Sequence, residues 1–166
     1  DGPQGPVPVN NLWYSFKFGG IEFFGFSTEH AFENGSPQFE WLSGALKASA
    51  SDPSVSWRIV FGHRPAYCST SDYYDCKHAG PTKLRPVLLP LFEEYGVDLF
   101  LAGHLHNYER SFPISANGEV LRTSYNFTAA RHDDPKAKMG TVHMVVGNAG
   151  DNEGLTYTWE EPKPSW

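Results

Sequence analysis

The segment Ala102-Gly103-His104-Leu105-His106-Asn107-Tyr108-Glu109-Arg110-Ser111-Phe112 decides how the rest of the chain is read. It follows Val97-Asp98-Leu99-Phe100-Leu101, a short apolar segment that reads as a buried strand. Residues two apart on an extended backbone point the same way, so His104 and His106 can face one point at the end of a rigid element. Gly103 lets the backbone come close to whatever sits there. A neutral imidazole is the commonest metal ligand, and two on one face suggest a metal. The competing reading is a pair of polar loop histidines.

Working outward, the same arrangement occurs once more, at Ile59-Val60-Phe61-Gly62-His63. Function in open α/β sheets gathers at the carboxyl ends of strands. If the two strands are neighbours, His63, His104 and His106 converge. The surrounding chain supports such a sheet. Leu12 to Phe18 and Ile21 to Ser27 read as a hairpin turned by Gly19-Gly20. Ser36 can cap a helix from Pro37 to about Ser49, with Phe39, Leu42 and Leu46 as its apolar stripe. Thr82 to Tyr95 reads as a second helix that Gly96 stops. Pro90 falls inside it and predicts either a late start with a kink or a non-helical part. Tyr108 to Ile114 looks extended, Asn117-Gly118 predicts a turn, and Gly140 to Val146 reads as a last strand. Strand–helix–strand–helix–strand followed by hairpins predicts an α/β layered domain.

With these motifs in place, the sequence resembles the purple acid phosphatases, within the calcineurin-like metallophosphoesterase superfamily. The resemblance runs through Asn11-Leu12-Trp13-Tyr14-Ser15-Phe16, Ser27-Thr28-Glu29-His30 and Gln38-Phe39-Glu40-Trp41-Leu42. It continues through Val60-Phe61-Gly62-His63-Arg64-Pro65, Gly103-His104-Leu105-His106-Asn107-Tyr108-Glu109-Arg110 and Gly147-Asn148-Ala149-Gly150. It implies a layered α/β/β/α sandwich with a binuclear centre of Fe(III) and Zn, Mn or Fe(II). Of the family's five ligand blocks, the last two match at Val60–His63 and Gly103–His106. By resemblance, His63 and His104 bind the divalent ion and His106 binds the iron(III).

The first three blocks, which supply aspartates, a tyrosine and an asparagine, have no counterpart here. Three histidines cannot fill two ions of four to six sites each, and hard iron(III) wants oxygen donors. Residues 1–166 are therefore expected to be the C-terminal portion of a single catalytic domain, inactive without an N-terminal part. The resemblance implies hydrolysis of phosphate monoesters by a hydroxide generated at two metal ions. A histidine would protonate the leaving alkoxide, and His78 is the candidate. An exposed loop histidine is the alternative reading of His78. His30, at a strand end, is the candidate for the substrate side; a rim histidine is the plainer reading. Two other functions stay open: a non-catalytic scaffold or metal-binding module of the same fold, and a secreted carbohydrate-binding domain, suggested by Trp13, Trp41, Trp57, Trp159 and Trp166.

Composition narrows the partners. The 166 residues carry a net charge of −6, which argues against a nucleic-acid backbone, and no basic run would dock a membrane. No apolar stretch approaches the roughly 18 residues that span a bilayer. The expected partners are a small phosphate ester and the N-terminal part of the same protein. No signal peptide is present in the sequence, but it opens Asp-Gly-Pro without an initiator Met, so a targeting segment could have been removed or could lie in sequence not shown. Cys68 and Cys76 could close a short loop or stay as thiols. With sequons at Asn34 and Asn126, they favour the secretory pathway, with a secreted or vacuolar/lysosomal destination. His132 reads as solvated, His143 as structural, and Arg110 as buried in a hydrogen-bonded pair. Gly147 to Gly150 lacks the Gly-Lys-Ser/Thr of a phosphate loop and reads as a turn closing near the metals.

Overall fold

Apolar runs that follow turns and helices pair in parallel at the middle of one sheet. In the computed structural model, residues 12–71, 76, 80–123, 140–150 and 152–166 are described, without the side chains of 80–82. Candidate residues His78 and Asn126, and also His132, lie outside the described residues. The strands are β1 (Tyr14–Phe18), β2 (Ile21–Gly25), β3 (Trp57–Gly62), β4 (Leu99–Ala102), β5 (Tyr108–Arg110) and β6 (Val142–Val146). Their spatial order is β1-β2-β3-β4-β6-β5. β2, β3, β4 and β6 are parallel neighbours, and β1 and β5 close the two edges antiparallel. Helix α1 (Pro37–Ala50) returns the chain from β2 to β3, and α2 (Gly80–Tyr95) returns it from β3 to β4. The expected mixed α/β fold is thus present, with one helical layer and one sheet among the described residues.

Alternation decides which sheet face the helices cover. Phe24, Val60 and Phe100 point to one side and meet Leu42 and Leu46 of α1 and Leu84, Leu88 and Phe92 of α2. These side chains are almost fully buried, each worth roughly 1.5–3 kcal/mol of transfer free energy. Ser36 caps α1 by accepting from the Phe39 N–H at 3.2 Å, with Pro37 in the first turn where no N–H is missed. Buried Gln38 ties the same helix to the exit of β2. Its Oε1 accepts from Ser27 N at 2.7 Å, and its Nε2 donates to the carbonyls of Ser27 at 2.9 Å and Ala31 at 3.3 Å.

The second helix departs from expectation. It runs unbroken from residue 80 to 95 with both Pro86 and Pro90 inside it. An interior proline costs about 3 kcal/mol through its missing N–H and ring clash. Burial of Leu84, Leu88, Leu89, Leu91 and Phe92 outweighs that cost, so tertiary packing overrides the local preference.

The other sheet face is also apolar but has no helical cover among the described residues. Phe16, Phe23, Ile59 and Leu99 form one row across four strands, with Phe16 stacked on Phe23 at 4.9 Å between centroids. Tyr14, Phe61 and Leu101 form the next row, in which Gly25 leaves space for Tyr14 to meet Phe61 edge-on. Trp57, at the start of β3, is 42% exposed.

Candidate functional site

The parallel register sets Gly62 of β3 beside Ala102 of β4, so the two strand-end loops leave the sheet together. The ladder continues one step further, with Gly103 N donating to the His63 carbonyl at 3.0 Å. A Cβ at position 62 would meet the Phe26 carbonyl at 2.9 Å, so glycine there permits the close approach of β2's exit.

His104 then turns the chain. Among the described residues it is the non-glycine residue with positive φ, at 62°. Leu105 N donates back to the Gly103 carbonyl at 2.7 Å, closing a three-residue turn on His104. A second turn of the same span follows, with Asn107 N donating to the Leu105 carbonyl at 2.8 Å. Left-handed backbone at a residue with a Cβ costs roughly 1–2 kcal/mol, and such strain concentrates at functional positions. Gly147, just after β6, presses against the back of this loop. Its N–H donates to the Asn107 carbonyl at 3.1 Å, and a Cβ there would fall on the Leu105 carbonyl oxygen. The glycine turn expected near the histidines is therefore one wall of their loop.

The turn brings two of the three histidines together edge-on. His63 Nε2 and His104 Nδ1 lie 3.1 Å apart, with ring centroids 4.8 Å apart and planes at 72°. Two imidazole nitrogens sharing a tetrahedral cation at about 2.05 Å are roughly 3.3 Å apart, so the pair fits one divalent ion. His106 is held elsewhere, its Nδ1 3.1 Å from the Gly154 carbonyl. As a donor to that carbonyl through Nδ1, a neutral ring carries no hydrogen on Nε2, and a second-ring-nitrogen bond of this kind is the usual support for an imidazole able to ligate a metal. Among the described residues, no three His, Cys, Asp or Glu side chains gather into a metal cage. The donor set suits a pair of imidazoles on one ion and does not by itself complete two ions.

Several groups around the histidines were not legible as site residues. Arg64 follows His63 directly. Its Nε donates to Glu29 Oε1 at 2.7 Å and its Nη2 to Glu29 Oε2 at 3.3 Å, while Nη1 stands 3.4 Å from His104 Nε2. Its backbone N–H donates to Thr28 Oγ1, whose hydroxyl donates to Glu29 Oε1. The guanidinium holds the Glu29 carboxyl below its ordinary range. The available signal was position: Glu29 and Arg64 follow the carboxyl ends of two neighbouring strands.

Behind His106, Glu109 is buried and Arg110 exposed, the reverse of the expected buried arginine, because β5 turns residue 109 inward. The Glu109 carboxylate accepts from Ser69 N at 2.8 Å, Ser69 Oγ at 2.6 Å and Asn107 Nδ2 at 3.1 Å. The chain's last segment crosses the same loop. Thr156 N donates to the His106 carbonyl, and Ser71 and Glu160 bond across to Thr158 and Ser69. Cys68 and Cys76 form a disulfide beneath it, with Cα atoms 5.4 Å apart. His30 is exposed, its Nδ1 2.8 Å from Ser27 Oγ. Asn34 is exposed at a turn. His143 is buried among rings, as its structural reading implied.

Comparison with known proteins gives a consistent picture. The sequence model described as calcineurin-like phosphoesterase matches residues 5–108. The chain is 37% identical to acid phosphatase type 7 of Mus musculus, over 96% of this chain and 38% of that protein. It is 32% identical to "Probable inactive purple acid phosphatase 27" of Arabidopsis thaliana, over 93% of this chain and 24% of that protein. A purple acid phosphatase structure from yellow lupin seeds superposes with a TM-score of 0.73 at 28% identity, covering 96% of this chain and 27% of that one. The chain thus spans well under half the length of the relatives it matches.

Proposed function

Because this chain belongs to the calcineurin-like phosphoesterase family, we propose that it is the histidine-bearing C-terminal portion of an acid phosphatase that hydrolyses phosphate monoesters. The observation that carries this reading is the 3.1 Å approach of His63 Nε2 to His104 Nδ1 at two neighbouring strand ends. His63 and His104 would hold the divalent ion (zinc, manganese or iron(II)), and His106, through Nε2, the iron(III). When bound, the ions supply Lewis-acid charge at the phosphoryl oxygens and an acidified water. The remaining donors are oxygen ligands from the N-terminal part of the protein.

The chain's own residues orient and protonate. Gly154 fixes the ring of His106 through Nδ1. Glu109 holds Asn107 and Ser69, and so the floor under His106. His30 lines the substrate side, and His78 donates the proton to the departing alkoxide. The uncovered apolar sheet face supports a second sheet layer, contributed by the N-terminal part, against Phe16, Phe23, Ile59 and Leu99. The disulfide supports passage through the secretory pathway, with glycans at Asn34 and Asn126. Among the described residues no helix is long and apolar enough to cross a membrane.

The test is His104→Ala in the intact protein, with metal content and para-nitrophenyl phosphate turnover as readouts. Loss of metal together with a fall in turnover of 1,000-fold or more is expected; near-normal turnover would refute the assignment. The similarity to the Arabidopsis protein favours a second reading, a non-catalytic scaffold. Wild-type protein that loads metal yet turns over no ester would establish that one instead.

A further inference from the structure

Contacts from distant parts of the chain converge on Ser69-Thr70-Ser71, which directly follows Cys68. The Ser69 N–H and hydroxyl both donate to Glu109 Oε2, while Glu109 Oε1 accepts from the side-chain amide of Asn107, the neighbour of His106. The Ser69 carbonyl accepts from Glu160 N at 2.7 Å, Thr70 bridges Trp159 antiparallel, and Ser71 N donates to the Thr158 carbonyl at 3.3 Å. Residues 154–160 are thereby laid along this run as a short strap. The other end of the strap reaches His106 twice. The Gly154 carbonyl lies 3.1 Å from the ring Nδ1, and Thr156 N donates to the His106 carbonyl at 3.0 Å. Thr70 is fully buried, so the run belongs to the interior and not to a surface turn.

Apart from that isolated bridge, the run lies in no strand or helix. The covalent tie that holds it is the disulfide from Cys68 to Cys76. Both cysteines are buried in one cluster with Leu105 and Val145, and Leu105 stands between the two histidines of the turn. A cross-link removes freedom from the loop that it closes. That order passes to His106 through Glu109 and Asn107 on one side and through the strap on the other. The His63–His104 pair has a different support. Its approach follows from the β3–β4 ladder, which Gly103 N extends by donating to the His63 carbonyl at 3.0 Å. Sheet register sets one half of the site, and the disulfide-closed loop sets the other.

We propose that the Cys68–Cys76 disulfide is a positioning element for His106, acting through Ser69, Glu109 and the 154–160 strap, and that it governs the iron(III) position while the sheet governs the divalent one. The assignment of ions rests on the phosphatase reading above; the positioning of His106 does not.

The experiment compares the intact wild-type protein with a double variant, Cys68→Ser with Cys76→Ser. Leu46→Ala, at a fully buried position of α1, destabilises the fold away from the strap and serves as the control. Backbone amide exchange is followed in metal-free protein, and iron and divalent-metal contents are measured after dialysis against a graded series of chelator. In the double variant the amides of Thr156 and Glu160 are expected to exchange at least about tenfold faster, with that of Gly103 unchanged. Iron affinity should fall roughly 10–100-fold, the effect of losing the support behind a ligating imidazole, at unchanged divalent-metal content. Thr156→Pro removes one bond of the strap, leaves the disulfide in place and should reproduce the iron loss in smaller measure. Leu46→Ala should keep both ions and the protection of the strap. Unchanged strap protection in the double variant, equal loss of both ions, or the same pattern in Leu46→Ala would overturn the proposal. Free thiols at Cys68 and Cys76 in the native wild type would overturn it as well. A wild type that holds no iron would overturn the phosphatase reading of His106 instead, and amide exchange alone would then decide whether the disulfide positions that residue.

Discussion

Replacing His143 by leucine should flatten the acid sensitivity of folding. His143 lies on β6 opposite Phe100 in the register, enclosed by the rings of Tyr67 at 4.7 Å, Phe100 at 5.8 Å and Phe92 at 6.5 Å between centroids. Neither ring nitrogen has a hydrogen-bond partner among the described residues. Burial first, and the Arg85 charge second, push its pKa from 6.5 down to about 3. The folded imidazole therefore stays neutral where the unfolded chain takes up a proton. Its contribution is complete above pH 6.5 and is lost as the pH falls toward about 3. At 1.36 kcal/mol per pH unit the full span is about 5 kcal/mol, and about 2 kcal/mol is already lost at pH 5. Urea unfolding of the intact protein at pH 7 and pH 5 tests this. Groups that titrate equally in both proteins cancel, so wild type should lose about 2 kcal/mol more than His143→Leu between the two conditions. Parallel losses in the two proteins would refute the reasoning, because they would mean that His143 is charged or solvated in the fold.

Other perturbations address the elements that position the histidines. Gly147→Ala should destabilise by about 3 kcal/mol, since the new Cβ meets the Leu105 carbonyl rather than a side chain that can move; urea midpoints and the metal content of the folded fraction check it together. Ser36→Ala removes the α1 cap and should cost about 1 kcal/mol without altering phosphate affinity, as read from thermal unfolding and inhibition by phosphate. Replacing Cys68 and Cys76 together by serine frees an eight-residue separation and should cost roughly 2.5 kcal/mol on the chain-entropy account; equal stability under oxidising and reducing conditions in wild type would contradict it.

How much of this was readable beforehand depended on the range of the interaction responsible. The hairpin at Gly19-Gly20, the cap at Ser36, and the strands before His63 and His104 announce themselves within a few residues, through turn chemistry and apolar runs. Their meeting required only that two βαβ units lie side by side. Pro90 misled because its local cost is visible in sequence while the packing of Leu88, Leu91 and Phe92 that overrides it is not. Arg110 faced outward against expectation because a three-residue strand carries too little alternation to set its inward side. The Glu29–Arg64 fork joins residues 35 apart and depends on the β2–β3 register, so proximity in the chain could not reveal it. The same holds for Gly154 beneath His106, 48 residues away.

The oily row of Phe16, Phe23, Ile59 and Leu99 has a practical consequence for anyone handling this polypeptide. It ends at β1, a border strand whose five residues are all solvent-facing and whose outer backbone groups offer a ready template for another strand. Produced by itself, the polypeptide would present both a sticky plane and an open margin, the combination that drives chains into inclusion bodies. Phe16→Lys should shift the polypeptide in part into the soluble fraction, as read by fractionation after expression.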